Sequence, residues 1–224
     1  MPLSISDCDL TDGPIIAAIH TSTVTPFMKY QFGSASTDAI RDNFRWQYTA
    51  VLTQIQQKGS EHVYLKVVDQ NPDDGSGTGT MIAWADWELP EDDSAPSSSG
   101  GLRGQPPYGY NYRFCGLACD AVEAMRTKVL QGKKCYVLNQ LVTLPEHQRR
   151  GAGSMLLTWP FERADKEGMV CYLDTEEDGK VIALYEKHGY VKVAECKVPL
   201  WVCGLEGVYT HVAMVREPKA LAEN

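Results

Sequence analysis

Apolar positions recur along the chain at two spacings, and each spacing predicts a different kind of element. Ile15, Ile16 and Ile19 follow the turn residues Asp12-Gly13-Pro14 and predict a short helix. A stronger helical pattern runs through Ile40, Phe44, Tyr48, Val51, Leu52 and Ile55, with Thr37 or Asp38 as its cap and Gly59 as its end. Between these two helices, Thr25 to Phe32 reads as a loop rich in aromatics. His62 to Val68 and Thr80 to Leu89 read as strands, joined by turn residues from Asn71 to Gly79 into an antiparallel hairpin. The alternating glycines of that turn precede no helix, so they are hairpin chemistry and not a nucleotide loop. Residues 90–107 are biased towards Ser, Gly, Pro and Asp and read as a mobile surface insertion. Leu117, Val122, Met125 and Val129 predict a helix from Leu117 to Leu130. Gly132 then leads into Cys135 to Leu144, a run apolar enough for a central strand. The economical organisation is one domain, residues 1–224, with an excursion at 90–107.

Composition narrows the functional classes. Hydrophobic residues are 43% and charged residues 22% of the 224, enough apolar surface for a real core. Acidic residues outnumber basic ones 29 to 21, for a net charge of −8. That balance excludes a nucleic-acid backbone or an anionic membrane as the main partner, since either would repel it. It suits a cationic or amine-bearing substrate. No run approaches the ~18 apolar residues of a membrane span. Met1 to Asp9 lacks the succession of a signal peptide, and seven cysteines without paired spacing read as reduced thiols of a cytoplasmic protein. Cys115 and Cys119 share a helix face but have no nearby histidine, which predicts packing and no metal site.

Chemistry concentrates in Thr143-Leu144-Pro145-Glu146-His147-Gln148-Arg149-Arg150-Gly151-Ala152-Gly153-Ser154-Met155-Leu156-Leu157. A strand ends, a basic turn with glycines follows, and an apolar helix begins. The free N–H groups and dipole of a helix start attract anions. Gly151 and Gly153 allow a phosphate to approach the backbone, and Arg149 and Arg150 add charge at the rim. Leu156 occupies the sixth position of a would-be dinucleotide fingerprint, and a Gly-Lys-Ser/Thr ending is absent, so both nucleotide-loop readings fail.

The turn Gln148-Arg149-Arg150-Gly151-Ala152-Gly153 resembles the Gln/Arg-x-x-Gly-x-Gly/Ala signature of the GNAT superfamily, the acetyl-coenzyme A-dependent N-acetyltransferases. Leu184-Tyr185-Glu186-Lys187-His188-Gly189-Tyr190 is similar to that family's L-Y-E-K-x-G-F/Y segment, at the expected distance downstream. Ala164-Asp165 and Tyr172-Leu173-Asp174 look like the helix end and strand between them. The long insertion and the Arg-Arg-Gly-Ala-Gly-Ser-Met-Leu-Leu loop resemble a fungal branch. The resemblance is dense from about Tyr136 to Val193. It implies an α/β (α+β) fold with a mixed, mostly antiparallel twisted sheet of six to seven strands, flanked by helices and splayed at its centre.

It also implies roles. Backbone N–H groups from Gln148 to Ser154, Ala152 included, would hold the pyrophosphate of acetyl-coenzyme A. Leu141, Val142 and Thr143 would pair with the pantetheine arm and polarise the thioester carbonyl. Tyr185 would protonate the departing thiolate, a role that suits a phenol. His147 reads as structural. The general base is open among Asp86, Glu88 and Asp174, or a water chain. Asp86 and Glu88 share one face of their strand, and each also reads as a solvated edge carboxylate. Phe27, Tyr30, Phe32, Trp84, Trp87 and Trp201 are nominated for the acceptor pocket, where aromatics and carboxylates would favour a small amine with an apolar body. The reading is therefore direct acetyl transfer to a small-molecule amine by a monomer or homodimer, with no metal and no covalent enzyme intermediate. A protein or peptide acetyltransferase and a non-catalytic acyl-coenzyme A-binding module are the rivals.

The chain departs from the family pattern in two places. Pro160 should kink or shorten the helix after the turn. Glu176-Glu177-Asp178 is an acidic run beside the expected coenzyme, with Thr175 and Asp178 at capping-box spacing. The acidity is uneven: Asp86 to Asp93 carries five carboxylates and Asp174 to Asp178 four, with no basic residue in either stretch.

Overall fold

The computed structural model of the chain describes residues 3–23, 25–58, 61–70, 79–90, 106 and 109–219. The 71–78 turn, Gly59 and nearly all of the 90–107 insertion lie outside them. The chain divides into two compact units: Met1–Thr23, Ser36–Pro107 and Leu138–Trp159 form one, and Val24–Ala35, Tyr108–Val137 and Pro160–Asn224 the other.

In the first unit, β1 (Leu3–Asp7), β2 (His62–Asp69) and β3 (Thr80–Glu88) run antiparallel, with Ile5 opposite Val67 and Tyr64 opposite Asp86. Helices α1 (Gly13–Ser22) and α3 (Thr37–Lys58) accompany them. At Gly13 a Cβ would come within 3.0 Å of the Thr49 backbone, so the two helices meet where only hydrogen fits. The cap of α3 is Ser36, one residue before the expected pair: its Oγ accepts from the Ala39 N–H at 3.2 Å. Trp84 and Trp87 are fully buried. Trp84 packs beside Tyr64, Tyr48 and His20, and Trp87 donates its indole N–H to the Leu156 carbonyl at 3.0 Å. Burial lowers His20 to about 4, so it is a neutral partner for the Tyr48 hydroxyl 2.5 Å away.

In the second unit, Thr25 to Phe32 is not a loop. It forms α2 (Pro26–Phe32), because Thr25 caps the Met28 N–H and Pro26 occupies the first turn, where its missing donor costs nothing. Helix α4 (Tyr112–Leu130) begins five residues before the expected Leu117, where Asn111 accepts from the Phe114 N–H. Pro160 divides the helix after the basic turn into α5 (Ala152–Thr158) and α6 (Phe161–Glu167), as its missing N–H requires. Strand β5 (Val170–Glu176) pairs antiparallel with β7 (Val208–Arg216), and β7 with β6 (Val191–Pro199). Helix α7 (Gly179–Lys187) is capped by Asp178 alone. Thr175 sits inside β5, so no capping box forms. Arg216, 3% exposed, forks onto both oxygens of Asp165 and lies 3.9 Å from the Phe161 ring centroid.

Strand β4 (Cys135–Thr143) gives Leu138–Thr143 to the first unit and Cys135–Val137 to the second. The orders are β1-β2-β3-β4 and β4-β5-β7-β6, seven strands that are mostly antiparallel with one parallel pair. This is the mixed α/β class that the sequence implied.

Candidate active site

The first unit builds the basic turn. After β4, the Leu144 N–H bonds to the Ile82 carbonyl at 2.9 Å, which ties the strand end to β3. A 3-10 turn over Pro145–His147 follows, and Gln148 then reaches back to the Thr143 carbonyl at 3.3 Å. Arg149 and Gly151 take φ of 63° and 96°. A Cβ at Gly151 would meet nothing within 4 Å, so its need for glycine is conformational. Gly153 is only in ordinary contact range of Thr143. No side chain caps α5, and its ladder starts with the Met155 N–H on the Gly151 carbonyl, which leaves the N–H groups before it uncapped by the helix.

The two arginines diverge. Arg149 is exposed, whereas Arg150 pairs with buried Asp69 at the end of β2 at 2.5 Å and with His147 Nδ1 at 2.7 Å. Asp69 is thus a hidden anchor of the turn that the motif does not include. Asp69→Ala should lower the unfolding free energy by about 1 kcal/mol, because it removes the buried partner of an arginine that is itself part-exposed and can turn to water. Urea denaturation checks this; a midpoint shift under a quarter of that size would remove the anchor role.

Asp86 and Glu88 also belong to this unit, and neither is an edge carboxylate, because β3 lies between β2 and β4. Asp86 is 6% exposed and bonds His62 Nδ1 at 2.9 Å, and that bond raises the histidine above its ordinary value. Glu88 accepts from Asn139 at 3.4 Å.

The second unit holds Tyr185 and Asp174. Tyr185 is buried on α7 with its ring edge-on to Tyr190. Burial first, and the Asp174 charge second, raise its phenol well above the usual range, so it is protonated at every working pH. Asp174 on β5 accepts from His211 Nε2 at 2.7 Å, and His211 Nδ1 meets the Tyr209 hydroxyl at 2.7 Å. Sequence reasoning missed His211 and Tyr209. Their i, i+2 spacing on a strand was visible, but nothing in it named Asp174 as partner.

The nominated aromatics divide. Trp84, Trp87 and Phe32 are core, at 0%, 0% and 2% exposed, and present no surface to an acceptor. Their large apolar area is held by packing, the commoner fate of such residues. Phe27 and Tyr30 are half-buried around Tyr209 and Phe114, and the Phe27 N–H bonds Glu176 at 3.0 Å. Trp201 is 58% exposed under the Arg113 guanidinium. Among the described residues, no group of three or more His, Cys, Asp or Glu is placed to hold a metal, and no helix is long and apolar enough to cross a membrane.

Residues 82–190, from β3 past the end of α7, match the acetyltransferase (GNAT) family. That match spans 109 of the 224 residues, just under half of the chain. GNAT proteins are acyltransferase enzymes that take acetyl-coenzyme A as cosubstrate, and the uncapped turn beside exposed Arg149 fits such an anionic ligand. No curated protein sequence matches the chain. Solved structures share its fold. The histone acetyltransferase HPA2 and related acetyltransferase of Corynebacterium glutamicum is 16% identical, with all of both chains covered and a TM-score of 0.58. NAA60 of Arabidopsis thaliana, in complex with a bisubstrate analogue, is 10% identical over 98% of this chain and 100% of its own, with a TM-score of 0.56. The putative acetyltransferase yncA of Salmonella typhimurium, solved with acetyl-CoA, is 16% identical over 100% and 98%, with a TM-score of 0.52.

Proposed function

We propose that this chain is a GNAT-type enzyme that moves the acetyl group of acetyl-coenzyme A directly to a primary amine of a small molecule, within a ternary complex. The observation that carries the reading is the turn itself: Gly151 in a left-handed conformation, uncapped N–H groups at Ala152 to Ser154, and exposed Arg149. That arrangement suits the pyrophosphate, with Gln148, Arg150 and Gly153 shaping the same turn. Leu141, Val142 and Thr143 serve the pantetheine arm. The free amine attacks the thioester carbon, the oxyanion collapses, and the C–S bond breaks. Tyr185 hydrogen-bonds the leaving thiolate and gives it a proton, and the proton lost by the acylated nitrogen restores the phenol, so the products are an acetamide, the coenzyme thiol and an unchanged tyrosine.

Direct transfer is supported by the thiols. Cys171 is buried, and burial pushes it up to about 12, so it stays a thiol and a poor nucleophile. For the acceptor, half-buried Phe27 and Tyr30 and exposed Trp201 supply apolar and π surface, and Asp174 and Glu176 supply negative charge. Glu88 is a candidate for the amine's proton. Asp86 is a weaker one, since it is buried against His62. The loop and insertion favour a branch similar to the fungal one, acting in the cytoplasm as a monomer or homodimer.

A thiol-release screen of small primary amines beside peptides tests the reading. Turnover is expected with amines bearing an apolar body. Turnover confined to peptides would replace the acceptor class, and tight coenzyme binding with no turnover on either set would replace the enzyme by a binding module.

A further inference from the structure

Asp174, His211 and Tyr209 form a hydrogen-bonded line across β5 and β7, with both links at 2.7 Å. Its direction is set by chemistry. A carboxylate only accepts, so His211 Nε2 carries a proton and donates it to Asp174, which leaves Nδ1 as an acceptor for the Tyr209 O–H. Tyr209 ends the line inside the aromatic group of Phe27, Tyr30 and Phe114, and Tyr30 and Phe27 are half-buried surface proposed for the acceptor. The other end is open to solvent: the Asp174 and His211 side chains are 22% and 14% exposed. Carboxylate, imidazole and hydroxyl therefore stand in the order that activates a hydroxyl in hydrolytic triads, with tyrosine in the last place.

We propose that this line is the proton exit for the acceptor amine, an inference that rests on the amine N-acetyltransferase reading. As the ammonium group gives a proton to the Tyr209 oxygen, Tyr209 passes its own proton to His211 Nδ1. The products are a neutral amine, an unchanged phenol and an imidazolium paired with Asp174. Charge and protons balance, and the imidazolium then releases its proton to water. Asp174 is a positioning residue in this scheme: it fixes the histidine tautomer and stabilises the imidazolium, and it does not touch the amine.

The titratable and charged groups facing His211 come from four elements besides its own. They are Asp174, which it bonds, and Glu176 on β5, Cys196 opposite it on β6 and Tyr209 on β7 itself, with Tyr172 against Asp174, Arg126 on α4 against Tyr172, and Tyr30 on α2 against Tyr209 one step further out. Tyr172 and Tyr209 are raised by burial and the Cys196 thiol likewise, so in the neutral range these three stay uncharged.

The test compares Tyr209→Phe, His211→Gln and Asp174→Asn in the full chain, using an amine found by the thiol-release screen. Tyr209→Phe and His211→Gln should each lower kcat/KM by on the order of 100-fold and should not compound when combined, because the line works as a unit. Coenzyme affinity should stay within about twofold. Ring-nitrogen chemical shifts of His211, read without turnover, should report Nε2–H, and Asp174→Asn should weaken that preference. Variants with the wild-type kcat/KM, losses that compound when the two substitutions are combined, or an Nδ1–H tautomer would overturn the relay. A wild type that acetylates no amine overturns the acetyltransferase reading, and the relay's role with it.

Discussion

Tyr185→Phe is expected to lower kcat for acetyl transfer by about 100-fold, the usual weight of a positioned proton donor, while coenzyme affinity changes by less than about twofold. The substitution keeps the ring that packs edge-on against Tyr190, so the fold around α7 has no reason to shift. What it removes is a hydroxyl that burial and the Asp174 charge keep fully protonated. A phenol held that way is a weak acid before the reaction. Its contribution comes as negative charge develops on sulfur, when a hydrogen bond from the hydroxyl strengthens and the proton moves across. The effect should therefore fall on kcat and be flat with pH through the neutral and mildly alkaline range, since no ionisation of Tyr185 occurs there. The decisive measurement is a single-turnover rate, which isolates chemistry from coenzyme release. A Phe variant with the wild-type single-turnover rate would remove Tyr185 from the reaction and leave it as packing beside the coenzyme.

The parts of the fold legible in the sequence were those whose signal is local. The Ile40-to-Ile55 stripe became α3, the apolar run from Cys135 became β4, and Pro160 broke a helix for the reason it always does. Errors arose where a short polar residue decided the outcome: Thr25 capping α2 and Ser36 capping α3. Strand β1 went unread although Leu3-Ser4-Ile5-Ser6 alternates, because its case rests on pairing with β2 more than 55 residues away. The candidate site divided the same way. The basic turn is contiguous, so its geometry could be read in order along the chain. Asp69 behind Arg150, His62 on Asp86, and His211 between Asp174 and Tyr209 are contacts between distant strands. A single sequence holds no local mark of such pairs. The aromatics show the limit from the other side: Trp84 and Trp87 have the composition of a ligand pocket and the burial of a core.

Gly151→Val is the second large effect, and it separates conformation from charge in the turn proposed to hold the coenzyme. At φ 96° a β-branched residue is strained whatever the space around it, and the surroundings here are open, with no atom within 4 Å of a built Cβ. The strain is worth about 2 kcal/mol. The turn is exposed and follows a 3-10 segment, so it can relieve that strain by rotating, which carries the Ala152 and Gly153 N–H groups out of line. Relief of that kind transfers the cost to ligand binding: KM for acetyl-coenzyme A should rise about 30-fold, with kcat nearly unchanged. Gly151→Asn, which tolerates the left-handed region, should recover most of the loss. Arg149→Gln, which leaves the backbone alone, should raise KM less and mainly at low salt, where an exposed charge acts at distance. If Gly151→Val keeps the wild-type KM and instead lowers the unfolding free energy by the same 2 kcal/mol, the turn is rigid and its left-handed glycine serves folding. An unchanged KM with unchanged stability would mean that the backbone of this turn does not hold the coenzyme.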